Sequence, residues 1–247
     1  MSPFTISLVA FVCVVGGVLL GARGHSLLPD DHRSPETKEV VRLGMALVGT
    51  MVALVLGLLT ASAKGFYDTQ NAEVAEIAAN VVLLDRLFAH YGPEAKESRV
   101  LLRSIVARQV DRTHPNADLD KPNATNGEPL FDKIQELSPQ NDHQRLLQTQ
   151  ALGLAIRIGQ TRWLMFEQRT SSVPIPVLAM LVFWLTLLFT SFGLFVRPNA
   201  TIVTSLLISA LAVSGAILLI LEMYTPGSGL IRATDAPLRA ALTQLGQ

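Results

Sequence analysis

Residues 34–93 read SPETKEVVRLGMALVGTMVALVLGLLTASAKGFYDTQNAEVAEIAANVVLLDRLFAHYGP. Ser34 suits a helix N-cap and Pro35 the first helical position, and no further proline occurs before Pro93. The pattern predicts one helix from Ser34 to about Tyr91, roughly 55 residues and ~80 Å long at 1.5 Å per residue. Its character changes midway. Residues 41–63 carry no charge beyond Arg42, and their number meets the roughly 20 residues that a hydrocarbon core of ~30 Å demands. After Lys64, the residues Val74, Ile77, Val81, Leu84, Phe88 and Tyr91 recur at spacings of three and four. That is a one-sided stripe, of the kind that packs helix against helix. A single helix would thus cross a membrane and continue outside it as a stalk. Gly65 is its weak point, since glycine costs ~1 kcal/mol relative to alanine inside a helix.

Three more segments have the length and apolarity of a span: about 4–22, 174–196 and 201–224. Backbone groups in lipid must bond internally, so each is expected to be helical. The fold class is therefore all-α, a membrane protein with four transmembrane helices in two hairpins. The first hairpin is 1–63, the second 173–225, and a helical extramembrane insert, 64–172, lies between them. MSPFT lacks the Lys or Arg of a signal-peptide n-region, so the first apolar run reads as a retained span. Within the insert, Leu147, Ala151, Leu154, Ile158, Thr161 and Met165 form a second 3/4 stripe. A helix is expected from Pro93 to about Arg112, a long loop over 113–129, and a short helix at LFDKIQEL (130–137). Val173-Pro174-Ile175-Pro176 should break the chain before the third span. The tail, 226–247, is amphipathic: Asp235 can cap a helix whose Leu238, Ala241, Leu242 and Leu245 share a face. It is expected either on the membrane or against the insert.

Composition agrees: 49% of residues are hydrophobic, 16% charged, and the net charge is zero. The insert holds thirteen Lys/Arg and fourteen Asp/Glu, which gives it no basic excess and argues against nucleic acid as a partner. The lone Cys13 cannot form an intramolecular disulfide. Five cations near one set of span ends (Arg23, Arg33, Lys38, Arg42, Arg197) face six on the other (Lys64, Arg157, Arg162, Arg169, Arg232, Arg239). The positive-inside rule does not choose between them. There is no Gly-rich phosphate loop, HExxH, G-x-S-x-G or Cys/His cluster, so no enzyme, cofactor or metal is expected. Asp30, Asp31 and His32 could gather on a metal, but a solvated helix-entry turn explains them equally well.

Two features could carry function. Thr50, Ala53, Gly57, Thr60 and Lys64 are spaced 3, 4, 3 and 4, which places them on one helix face. Such a face either packs helices closely in lipid or lines a pore with a cation at one mouth. Gly17-x-x-x-Gly21 in the first span is its expected packing partner. The hydroxyl and small residues of the fourth span (Thr201, Thr204, Ser205, Ser209, Ala212, Ser214, Ala216) likewise read as packing. The second feature is Glu222. It lies ~30 Å of helix beyond Ile202, which puts it at headgroup level as a membrane-interface acid beside Tyr224. It could also pair with Lys64, which ends the second span on the same side.

Three stretches, LPDDHRSPETKEVVRLGMALVGTMVALVLGLLTASAKGFYDTQ (28–70), LFAHYGPEAKE (87–97) and LILEMYTPGSGLIRATDAPLRAALTQLGQ (219–247), resemble a bacterial membrane family classed as bestrophin-like. The resemblance implies an oligomeric channel with paired spans flanking a cytosolic helical region. It further implies lipid, a homo-oligomer and small anions as partners, and the bacterial inner (cell) membrane as location. Bestrophins carry an apolar, partly aromatic neck on the second span. This sequence has no aromatic residue between Arg42 and Lys64, so no bestrophin pore residue is carried over. The alternative function is a membrane-anchored interaction or sensory module whose insert binds a protein.

Overall fold

The computed structural model of the chain describes residues 2–25, 35–111, 128–169, 175–195, 199–225 and 234–246. Among them the order is α1 (Pro3–His25), α2 (Pro35–Tyr91), a 3-10 turn (Pro93–Ala95), α3 (Lys96–Asp111), α4 (Glu128–Gln135), α5 (Asp142–Arg169), α6 (Ile175–Phe195), α7 (Ala200–Met223) and α8 (Ala236–Gln244). The described residues contain no strand. The Ser34 cap, Asp30, Asp31, His32, most of the 113–129 loop, Val173-Pro174 and the Pro226–Gly229 break lie outside the described residues.

The long helix is continuous, 57 residues from Pro35 to Tyr91, and passes through Gly65 without a break. Helices α1, α2, α6 and α7 are each long and apolar enough to cross a membrane. The chain forms two compact units, Met1–Phe66 with Ser172–Thr225, and Tyr67–Ser171 with Pro226–Gln247.

In the first unit, α1 lies along α6. A Cβ on Gly17 would meet Thr190 Oγ1 at 2.8 Å and the Thr186 carbonyl at 2.9 Å. One on Gly21 would collide with the Thr190 carbonyl, and one on Gly193 would sit 2.5 Å from the Val18 carbonyl. Small residues at both sides of the crossing let the two backbones touch, the route to helix association in lipid. This corrects the sequence expectation: the Gly17–Gly21 motif is used on α6, not on the small face of α2. Periodicity shows which face is small and is silent about which helix meets it.

The contacts also fix the directions of the spans. As α1 advances from Gly17 to Gly24, its neighbours on α6 advance from Thr186 to Leu194, so the first and third spans run parallel. The Ser7 hydroxyl, near the start of α1, donates to the Ser214 carbonyl in the second half of α7 (2.6 Å), so the first and fourth run antiparallel. At the end of the second span, Ser62 and Tyr224 share a hydrogen bond of 2.8 Å and Phe66 stacks on Tyr224. The second and fourth spans therefore finish together. Alternating direction is what four successive crossings require. The shared core is apolar and mostly aliphatic, with Ala10, Val14, Val18, Val52, Leu181, Leu185, Phe189, Ala210 and Ile217 buried.

In the second unit, α2 and α5 pair in antiparallel fashion. Gln70 bonds Gln168 at one end (2.8 Å), and Gln144 donates to the Tyr91 carbonyl at the other (3.0 Å). The two predicted stripes meet as expected: Val74, Ile77, Val81, Leu84, Phe88 and Tyr91 share a core with Leu147, Ala151 and Met165. Helix α4 begins at Glu128 and buries Leu130 and Ile134 in that core. The tail packs there too, with Leu245 buried and Leu238 and Leu242 partly so.

Candidate functional site

The second span has three faces. Met45, Val48, Val52, Val55, Leu56 and Leu59 pack on the core of the first unit. Leu43, Leu47, Met51, Leu54 and Leu58 are exposed large aliphatics suited to lipid. The third face is the small one, and Thr50, Ala53, Gly57, Thr60 and Lys64 are all exposed. A Cβ on Gly57 would meet nothing within 4 Å, in contrast to Gly17, Gly21 and Gly193.

The hydroxyls of this face are turned back on their own helix. Thr50 Oγ1 donates to the Leu47 carbonyl (2.7 Å) and Thr60 Oγ1 to the Leu56 carbonyl (2.8 Å). Each therefore spends its proton internally, the usual arrangement for Ser and Thr in membrane helices, and shows only oxygen lone pairs outward. The charge of the face comes from Lys64 alone, which is exposed and makes an interaction within the chain.

A comparable surface runs along the start of α7. Thr201, Thr204, Ser205 and Ser209, with Ala200 and Ile208, line an open groove of about 520 Å³. Thr204 donates to the Ala200 carbonyl and Ser209 to that of Ser205. Of the fourth-span residues read as packing, Ser214 is buried and Ala216 half-buried, while Thr201, Thr204, Ser205, Ser209 and Ala212 are exposed.

Where the second and fourth spans end, Tyr224 supplies the tie. Its hydroxyl bonds Ser62, and its ring stacks on Phe66 with centroids 5.3 Å apart and planes 26° from parallel. Ser62 and Phe66 are four residues apart and share a face, whereas Lys64, two from each, points to the other side of the helix. Glu222, in the last turn of α7, is only 6% exposed, so protein covers it rather than solvent or lipid headgroups. Glu222 and Lys64 each have interactions within the chain. An aromatic at each of two span ends was the available signal for the Tyr224–Phe66 contact, since interface aromatics at a common level can meet.

The second unit holds two polar clusters that sequence reasoning missed. Arg99 grips Asp85 with both arms, Nε to Oδ1 at 2.9 Å and the terminal nitrogen to Oδ2 at 2.8 Å. The Gly246 amide adds a third bond to Oδ2 at 3.3 Å. Burial, the largest single influence, pushes the Asp85 carboxyl up; the Arg99 hydrogen bond, the Gly246 amide and the charges of Arg99 and Arg86 together hold it below its ordinary value. The other cluster joins Gln70, Glu73 and Gln168. No signal in the sequence marks either, because each depends on a distant partner, Gly246 at 161 residues from Asp85 and Gln168 at 98 from Gln70. No group of three His, Cys, Asp or Glu gathers as metal ligands among the described residues.

No curated protein matches the chain. The model of the Bestrophin-like domain does, over residues 9–238. That span takes in α1 from Val9 onward, α2, α6 and α7 entire, and the helical insert between the hairpins. The four-helix membrane unit and its helical insert are thus those of the bestrophin-like family, to which this chain belongs.

Proposed function

We propose that the chain is the subunit of an oligomeric channel for small anions in a bacterial cell membrane, with the Thr50–Ala53–Gly57–Thr60–Lys64 face towards the pathway. One observation carries this reading. The chain spends Gly17 and Gly21 of α1 and Gly193 of α6 on internal contacts and leaves the small face of α2 exposed, with open space over Gly57. A large aliphatic side chain on the same helix would face lipid without difficulty, as Leu47 and Leu54 do. Small residues suit a lumen instead, or the neighbouring subunit that helps to form it; with the Thr50 and Thr60 protons committed to backbone carbonyls, the preference for anions comes from Lys64. Lys64 at one end raises the local concentration of anions, an attraction that reaches about one Debye length, ~8 Å at physiological salt. The test is reconstitution of purified protein into liposomes, with chloride and potassium flux measured separately. Chloride flux above protein-free vesicles, exceeding that of potassium, supports the channel; its absence removes it.

A second reading has its own observation. The insert carries exposed apolar residues on α5: Leu146, Ile156, Trp163 and Leu164. Surface aromatics and aliphatics grouped on one helix suit a protein partner, and would make the spans an anchor. A closed dimer without flux, binding a soluble partner through Trp163, is the outcome that favours it.

A further inference from the structure

The Gln70–Glu73–Gln168 cluster joins α2 to α5 and is built in an unusual way. Gln70 is wholly buried, at 0% exposure. Its Nε2 donates to Gln168 Oε1 at 2.8 Å and to Glu73 Oε2 at 3.3 Å. Gln168 Nε2 in turn donates to Glu73 Oε1 at 3.0 Å. This closed ring fixes both amide orientations, since flipping either glutamine would set oxygen against oxygen. It leaves Gln70 Oε1 buried with no hydrogen-bond partner. Among the described residues, the partners of half-buried Glu73 are two neutral amides. Among the described residues, a half-buried carboxylate with no balancing cation thus stands beside an orphan carbonyl oxygen, and a buried oxygen is costly to leave without a partner.

We propose that Glu73 and the Gln70 side-chain oxygen form a site for a monovalent alkali cation. The donors are all hard oxygens with no nitrogen or sulfur, which excludes the softer transition metals. One carboxylate supplies one negative charge, matched by a single positive one. The distances allow it. An amide oxygen lies ~2.2 Å from its own nitrogen by standard geometry, so Gln70 Oε1 is at most about 5.5 Å from Glu73 Oε2. A cation whose oxygen bonds are ~2.5 Å or somewhat longer spans most of that range. Glu73 opens the site to solvent and Gln70 closes it, so the ion keeps water on its outer side. The proposal is independent of whether the spans conduct.

The experiment is thermal unfolding of the full chain in detergent, followed by the fluorescence of Trp163 and Trp184. Potassium, sodium or choline chloride is supplied at one constant ionic strength. The expected result is a saturable rise in the midpoint with potassium or sodium replacing choline, by about 3–5 °C at tenfold excess over Kd. Glu73→Gln should abolish the rise. Should that variant fail to fold, hydrogen exchange on wild-type α2 replaces it, and amides 70–77 should slow in the alkali salts and not in choline. A midpoint and exchange pattern equal in all three salts would mean that Gln70 Oε1 holds only a water, and would overturn the proposal. So would a rise of the same size in Glu73→Gln.

Discussion

Gly193 and Val18 touch backbone to backbone: a Cβ at Gly193 would stand 2.5 Å from the Val18 carbonyl oxygen. With Gly21 against the Thr190 carbonyl, this makes the α1–α6 crossing one that only glycine permits. Gly193→Leu and Gly21→Leu should therefore prise the first span from the third, and the smaller Gly21→Ala should already lower the detergent-solubilised midpoint. Gly57→Ala meets open space in the isolated subunit and should leave that unit folded. Protease resistance and midpoint of the four variants, measured side by side, check the contrast. Equal tolerance at Gly21 and Gly57 would refute the crossing.

The acid limb of stability should belong to Asp85. Its carboxyl is held below the ordinary value of 3.8 in the folded chain. A group with a depressed folded pKa contributes stability that is complete above the unfolded value and is lost as pH falls through the folded one. The insert should thus stay firm down to about pH 4 and weaken below it. Asp85→Asn removes the charge under Arg99 and should cost about 3 kcal/mol, the low end for breaking a buried pair, because Arg99 keeps 24% of its side-chain surface exposed. Chemical unfolding at pH 7 and pH 3.5 checks it. The variant should lose most of the difference between the two pH values, and a variant as acid-sensitive as wild type would assign the limb to another group.

Much of this was legible in the residues. Pro35 and Pro93 bound α2, and the Val74–Tyr91 stripe named its buried face, because prolines and 3/4 spacings are local signals. Half of the α1–α6 seam was legible as Gly17-x-x-x-Gly21. Gly193 was not, since a single glycine inside TSFGLF has no pattern around it. The polar clusters were hidden for a different reason. Gln70, Asp85 and Glu73 lie at or beside stripe positions and read as solvated until partners such as Arg99 and Gln168 are brought to them by the turn at Gly92 and the antiparallel return of α5. Glu222 was placed at a span end by counting residues, but its burial is a property of packing that no count contains.

Four spans of alternating direction are expected to place both termini and the insert on one side of the membrane. We propose that this side is the cytoplasm, as the family resemblance implies. In a Cys13→Ser background, single cysteines at the exposed positions Ser2, Ser138 and Thr243 should react with a membrane-impermeant maleimide only after the cells are opened. Labelling of all three in intact cells reverses the orientation alone. Labelling of one without the others breaks the four-span topology.

The small face of α2 separates the channel from the anchored module. If it lines an anion pathway, Lys64→Glu should reduce chloride flux and shift preference towards cations, most strongly at low ionic strength where screening is weakest. Gly57→Leu should then block flux with the oligomer intact, because space over Gly57 belongs to the lumen. If a neighbouring subunit covers the face, Gly57→Leu should break assembly instead, since leucine cannot fit where backbones meet. In that case Lys64→Glu acts through charge at the span ends, where it would repel buried Glu222 if the two lie close. Glu222→Lys should rescue stability in the double variant. Flux and oligomer size from the same preparations distinguish the cases. Rescue by the charge swap, together with no flux from wild type, leaves the face a packing surface and the protein an anchored module.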